Sequence, residues 1–215
     1  QGEQLVSWDG INKKLGKFLL ETESGSINKG EVIGILGENG IGKTTFVRIL
    51  ANDIKKDSGK LNENVQVSYK PQYLESNDEL VMVVLNDAIE KYTNQIINPL
   101  NLKPLFEKKL NELSGGELQR VAIAATVLKK ANLYIFDEPS SYLDIKQRIN
   151  VSKFIRNLSD ENTYVIVVEH DLIIFDYISD LAHIMYGSED AYGVVSGLKP
   201  TKNAINVYLS GYLKE

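Results

Sequence analysis

Residues 37–44 read Gly-Glu-Asn-Gly-Ile-Gly-Lys-Thr and follow directly on five apolar residues, Val32-Ile33-Gly34-Ile35-Leu36. The apolar run reads as a strand buried on both faces, and Thr44 to Ala51 reads as the helix behind it. The spacing is G-x-x-x-x-G-K-[ST], set between a strand and a helix. In that setting glycines let successive backbone N–H groups turn inward and cradle phosphate oxygens, and the helix start adds the positive end of its dipole. Gly37, Asn39, Gly40, Gly42 and Thr45 are the expected cradle. Lys43 is placed to neutralise the outer phosphates, and the Thr44 hydroxyl to reach Mg²⁺. The bland alternative is a glycine-rich turn with a solvated lysine; the strand before it and the helix after it argue against that.

The rest of the chain fits such a cradle. Val65 to Tyr69, Leu133 to Phe136, Tyr164 to Val168 and His183 to Tyr186 read as strands. Val81 to Tyr92 and Ile145 to Leu158 read as helices. Leu118, Val121, Ala122, Ala125 and Leu128 form the apolar face of another. Strands alternating with helices predict an α/β fold whose mostly parallel sheet is covered on both faces. No buried-strand pattern occurs between about Gln72 and Ser114, where Pro99 and Pro104 punctuate the chain, so this stretch reads as a small inserted helical lobe.

Composition narrows the chemistry. With 24 basic and 29 acidic residues the net charge is -5, which argues against a chain that coats nucleic acid or an anionic membrane. The absence of cysteine excludes disulfides, thiolate metal sites and cysteine nucleophiles, and His170 and His183 alone make a multi-histidine metal site improbable. His183 reads as an ordinary surface or core residue. No leader or apolar stretch of spanning length is visible, so a cytoplasmic protein without direct membrane insertion is expected.

Asp137-Glu138 follows the run Leu133 to Phe136, at the strand end where open α/β sheets bind ligands. Asp137 is expected to hold Mg²⁺, and Glu138 to polarise an attacking water. An acidic turn before Pro139 is the plain alternative. Ser114 and Glu117 have capping-box spacing, with two glycines between them that capping does not require.

Taken with Gln72, Ser141-Tyr142-Leu143-Asp144 and His170, the string Leu113-Ser114-Gly115-Gly116-Glu117 resembles the signature of ATP-binding-cassette (ABC) ATPases. The resemblance runs from about residue 30 to residue 172. It implies one domain over 1–215: a P-loop ATPase fold with an N-terminal antiparallel β region and a helical lobe over about 73–130 that includes the signature helix. It further implies ATP or ADP as ligand, Mg²⁺ as cofactor, and two such domains meeting head to tail. Carried onto this sequence, Gln72 would touch Mg²⁺ and the attacking water. Ser114 and Gly116 would meet the γ-phosphate of the opposite domain's ATP. Asp144 would couple the two sites; it also reads as a plain N-cap for the helix at Ile145, and both roles can hold at once. His170 would sense the γ-phosphate. Phe18 would stack on adenine, with Trp8 as the second choice.

Within the family, Ser68-Tyr69-Lys70-Pro71-Gln72, the DEPSSYLD string at Asp137 to Asp144 and Val167 to Leu172 resemble the ribosome-recycling, or RNase L inhibitor, branch. A hinge-like tail over about 187–215, containing Tyr192 to Ser196, Ala204-Ile205-Asn206 and Gly211-Tyr212-Leu213, also resembles that branch. The departures are a single ATPase half, no cysteine-rich iron–sulfur domain, and a lobe too short for an inserted ribosome-contacting element. Three roles stay open: an Mg-ATPase dimer with a ribosomal subunit as partner, a clamp with slow turnover, and the ATPase subunit of a membrane transporter.

Overall fold

Alternation along the inner strands decides which side of the sheet each residue serves. The computed structural model describes residues 6–27, 30–63, 65–72, 74–160 and 162–212. Gln1 to Gln4 and Leu213 lie outside the described residues. In chain order come β1 (Val6–Leu15), β2 (Phe18–Thr22), β3 (Gly25–Ile27), β4 (Val32–Leu36), α1 (Lys43–Leu50), β5 (Ser58–Glu63) and β6 (Val67–Lys70). The lobe holds α2 (Val81–Val84) and α3 (Asn86–Lys91) and leads into α4 (Gly115–Leu128). The chain returns through β7 (Leu133–Asp137), α5 (Ile145–Leu158), β8 (Tyr164–Val168), α6 (Leu172–Ile178), β9 (Leu181–Ser188), β10 (Tyr192–Pro200) and α7 (Thr201–Tyr212).

All ten strands belong to one sheet, ordered β3-β1-β2-β10-β9-β4-β8-β7-β6, with β5 pairing β1 off that path. From β9 to β6 the neighbours are parallel. β1 pairs antiparallel with β2, β3 and β5, which is the antiparallel N-terminal region expected. β10 joins the two regions: it runs antiparallel to β9 and parallel to β2. Much of the C-terminal segment is therefore sheet, and α7 packs on β9, β10 and β4.

β4 and β8 are buried at every position. Val165 and Val167 face a core shared with α4, α5 and the lobe, whereas Tyr164, Ile166 and Val168 face the core under α1 and the N-terminal strands. The lobe thus has no separate core. Its Leu85, Ala88, Ile97, Leu102 and Leu105 belong to the cluster that covers one sheet face. Among the described residues, no helix is long and apolar enough to cross a membrane.

Three elements depart from the pattern. The helix expected over Val81 to Tyr92 is broken at Leu85, whose φ of -103° and ψ of 18° leave the helical range. β-Branched Val83 and Val84 on one side, and cap-preferring Asn86 and Asp87 on the other, weaken a continuous helix there. The strand expected from Val65 starts at Val67 and takes in Lys70. In α4 the fully buried side includes Gln119, Arg120, Ile123 and Ala124, whereas Leu118, Ala122, Ala125 and Leu128 are only half-buried. This helix is wedged between sheet and lobe, and carbonyls accept from the Gln119 amide nitrogen and one Arg120 nitrogen, while Gln119 Oε1 and Arg120 Nε are buried with no partner. Gln119 Nε2 donates to Glu138 O at 2.8 Å, and an Arg120 guanidinium nitrogen donates to Leu100 O at 2.9 Å and Asn101 O at 2.8 Å.

Candidate functional site

The loop Gly37–Gly42 joins the end of β4 to α1. Gly42 is the N-cap of α1 in the left-handed region, φ 93°, and no side chain caps the helix. Only glycine takes that conformation at little steric cost, and the uncapped N–H groups are free to receive an anion. Lys43 is buried and its Nζ donates to the Gly37 carbonyl. Burial lowers its pKa, opposed by Glu138, Asp137, Glu169 and Glu38. A cavity of about 500 Å³ opens here, lined by Leu15, Phe18, Asn39, Gly40, Gly42, Lys43, Thr44, Thr45, Gln72, Glu138 and Asp190. Phe18 is thus at the cavity. Trp8 is not: it is 3% exposed, packed in the core against Phe46 and His183 with ring centroids 5.3 and 5.2 Å away.

Behind Thr44, β7 ends on the fully buried Asp137. Thr44 Oγ1 lies 2.8 Å from Asp137 Oδ2 and 3.1 Å from Gln72 Oε1, so one hydroxyl proton faces two acceptors. Asp137 Oδ1 is buried with no hydrogen-bond partner. A cluster of hydroxyl, amide and carboxylate oxygens with one orphaned carboxylate oxygen fits a hard divalent cation such as Mg²⁺. Burial raises the Asp137 pKa, opposed by the Thr44 hydrogen bond.

Glu138 stands at φ 52°, an uncommon conformation for a non-glycine residue. Its N–H donates to Val168 O at 2.9 Å, tying it to β8. Its carboxylate accepts from Gln72 Nε2 at 3.0 Å and Ser141 Oγ at 3.4 Å, and His170 Nδ1 lies 3.5 Å from Oε1. Gln72 therefore bridges Thr44 to Glu138, and the structure brings Lys43, Thr44, Gln72, Asp137, Glu138 and His170 to one strand edge.

Ser114, Gly116 and Asp144 do not line this cavity. Ser114 caps α4: Glu117 N donates to Ser114 Oγ at 3.2 Å, and Ser114 N to Glu117 Oε1 at 2.9 Å. The backbone N–H of Ser114 holds the Glu117 carboxyl below its usual range. A Cβ on Gly116 would stand 2.8 Å from the Tyr142 carbonyl, so the residue after Gly115 is glycine for space. Asp144 caps α5, accepting from Gln147 N at 2.8 Å. The N-cap reading of Asp144 is thus realised in the structure.

Four further side chains hold the site and were not singled out from sequence. Tyr69 OH donates to Asp137 Oδ2 at 3.3 Å, and burial first, then Asp137, raises its pKa far above the usual phenol range. Glu169 is buried and accepts from Ser140 Oγ at 2.7 Å and from the backbone N–H groups of His170 and Asp171 at 3.1 and 3.4 Å. Burial raises the Glu169 pKa. Gln119 holds the Glu138 carbonyl. Lys70 donates to Asp137 O at 2.8 Å and Pro71 O at 2.9 Å, and burial lowers its pKa to about 8. A lysine on the inward phase of a strand was the one available signal.

The profile of the ABC transporter family matches residues 20–141. An uncharacterized ABC transporter ATP-binding protein of Methanocaldococcus jannaschii is 46% identical over 213 residues, which cover 95% of this chain and 36% of that protein. The solved RNase-L inhibitor superposes with a TM-score of 0.92 at 42% identity, over 98% of this chain and 42% of that one. The archaeal ribosome recycling factor, solved with an archaeal ribosomal stalk protein, gives 0.91 at 42% identity, over 97% of this chain and 42% of that one. The chain thus spans 36 to 42% of the length of these relatives. With the cradle, the carboxylate pair and the signature helix in place, the chain belongs to the ABC transporter family of ATP-binding domains, on the branch of the RNase-L inhibitor.

Proposed function

We propose that this chain is an Mg-dependent ATPase that works head to tail with a second copy or a partner half. The observation that carries the reading is the continuous contact from Thr44 through Gln72 to Glu138, with His170 behind. Gly37, Asn39, Gly40, Gly42, Lys43 and Thr45 cradle the phosphates, and Phe18 stacks on the adenine. Thr44, Gln72 and Asp137 hold Mg²⁺, which when bound neutralises charge on the phosphate oxygens. Glu138 takes the proton of the attacking water. Gln72 orients that carboxylate through its 3.0 Å hydrogen bond, and His170 reports on the outermost phosphate.

Ser114 and Gly116 lie away from their own cavity, which supports their use by an opposite domain's ATP, with Asp144 between the two sites. Beside them Tyr142 and Ile145 are 71 and 77% exposed, apolar surface suited to being covered. The relative named as a ribosome recycling factor, solved with a ribosomal stalk protein, makes a ribosomal subunit in the cytoplasm the load we propose.

Phosphate release by the purified chain, with and without Mg²⁺, tests the chemistry. Glu138→Gln keeps the shape and loses the base, so turnover should fall about 10²–10⁴-fold while ATP still binds. Native turnover in that variant removes Glu138 as the base. Sizing with Mg-ATP, with and without ribosomal subunits, tests the pairing and the load.

A further inference from the structure

β6 alternates: Ser68 and Lys70 face α4, where Ser68 Oγ donates to Thr126 O at 2.6 Å, while Val67 and Tyr69 face the core under α1. Lys70 is 0% exposed. An apolar side chain of similar length, such as methionine, would fill the place without desolvating an ammonium. The ammonium instead grips two main-chain carbonyls, Asp137 O at 2.8 Å and Pro71 O at 2.9 Å. The first belongs to the peptide entering Glu138 and the second to the peptide entering Gln72. Those two residues are the ones whose side chains meet at 3.0 Å.

We propose that Lys70 is a positioning residue whose ammonium clamps the Pro71–Gln72 peptide to the Asp137–Glu138 peptide, so that Gln72 and Glu138 are held as one unit. This rests on the proposed ATPase reading. Two features reinforce the clamp. Glu138 sits in a left-handed conformation that its surroundings must maintain. Asp137, Glu138 and Glu169 all act electrostatically on Lys70, so a buried cation offsets the crowding of three carboxylates. Lys70 and Gln72 also line the second cavity, of about 500 Å³, between the sheet and the lobe. The clamp therefore stands where the chain leaves the sheet for the lobe.

Lys70→Met removes both hydrogen bonds and keeps the bulk. In the nucleotide-free protein, amide exchange at Glu138 and Ser141 should quicken about tenfold or more, and the Gln72 side-chain amide resonances should shift toward solvent-exposed values. With ATP, kcat should fall about 10–100-fold while KM stays within about threefold, because the phosphate cradle is untouched. In a Glu138→Gln background the same substitution should add about twofold or less, since the group it positions has lost its function. Should Lys70→Met fail to fold, Lys70→Gln, which keeps a donor but no charge, is measured in the same way. Unchanged exchange and an unchanged Gln72 resonance overturn the clamp. So does a kcat loss that multiplies fully with Glu138→Gln, or one matched by an equal rise in KM. If the wild-type chain hydrolyses no ATP either alone or with a partner half, the ATPase reading fails, and the nucleotide-free exchange and resonance data still decide the clamp.

Discussion

At the scale of single residues, burial gives ordinary groups unusual work. Lys43 is held inside the cradle by the Gly37 carbonyl and faces the carboxylates below it. Lys43→Ala removes the side-chain cation nearest the phosphates, and titration with a fluorescent ATP analogue should show an affinity loss of about tenfold or more. Equal affinity would rule out the cradle. His183 shows the opposite use of burial. It lies in the core against Trp8, and its Nδ1 is 2.8 Å from Ser196 O, which sets the neutral Nδ1–H tautomer. Burial lowers its pKa from the ordinary 6.5. As pH falls below about 6.5 the unfolded chain therefore takes up a proton that the folded chain refuses, so this contribution is whole above that pH and is lost below it. His183→Gln keeps a donor and cannot titrate. Denaturant melts between pH 7.5 and 5 should show wild type losing stability more steeply than the variant, by up to about 1.4 kcal/mol per pH unit. Parallel pH profiles would show that His183 is not the group responsible.

Among elements, β10 has the largest consequence for the site. Where it passes the phosphate loop, a Cβ on Gly193 would stand 1.8 Å from the Ile41 carbonyl and 3.3 Å from Phe18 Cζ. In the preceding turn Asp190 N donates to Gly40 O at 3.1 Å, and Leu19 N donates to Ala191 O at 3.1 Å. The hairpin from β9 to β10 thus presses on both the cradle and the aromatic at the cavity mouth. Gly193→Ala must push the Ile41 carbonyl aside, so both ATP affinity and melting temperature should drop, with a stability cost of about 1–3 kcal/mol. Calorimetry with ATP on the variant measures both, and wild-type affinity would show that β10 is not a support of the loop. Helix starts were easier to read. Ser114 with Glu117 forms a capping box that satisfies N–H groups locally, so a four-residue string announces it.

Considered whole, the molecule carries one cradle and one signature, and Ser114 and Gly116 lie outside the lining of the cradle's cavity. If the proposed pairing holds, chains with Lys43→Ala and chains with Ser114→Arg should each be inactive alone. Their mixture should regain activity, since a mixed dimer contains one site with an intact cradle facing an intact signature. Steady-state phosphate release across mixing ratios measures this. An activity in the wild type that is linear in protein down to concentrations where sizing shows only monomer would defeat the pairing. No regain on mixing, with each variant shown to fold and to pair, would defeat it too.

Part of this fold is enforced locally, by chemistry that can be read along the chain. The strand–cradle–helix unit, β8, α5, the Ser114–Glu117 capping box and the Asp144 cap follow from apolar runs, glycine spacing and side chains that bond their own backbone. The run Leu133 to Phe136 likewise carried Asp137 and Glu138 to a strand end without help from distant residues. The rest depends on which distant residues come together. Nothing within Tyr192 to Pro200 says that it will run parallel to β2 and close the sheet beside Phe18, because strand pairing depends on which edge is left open. Gln119, Arg120 and Glu169 look like surface residues in a linear reading. They are buried because carbonyls and hydroxyls from elsewhere in the chain meet them. Trp8 and Phe18 are both aromatics ahead of the cradle, and only the packing of β1 against α1 sends one to the core and leaves the other at the cavity. Lys70 is the sharpest case. A lysine reads as solvated until the peptides entering Gln72 and Glu138, from opposite sides of α4 in the sequence, arrive to accept its protons.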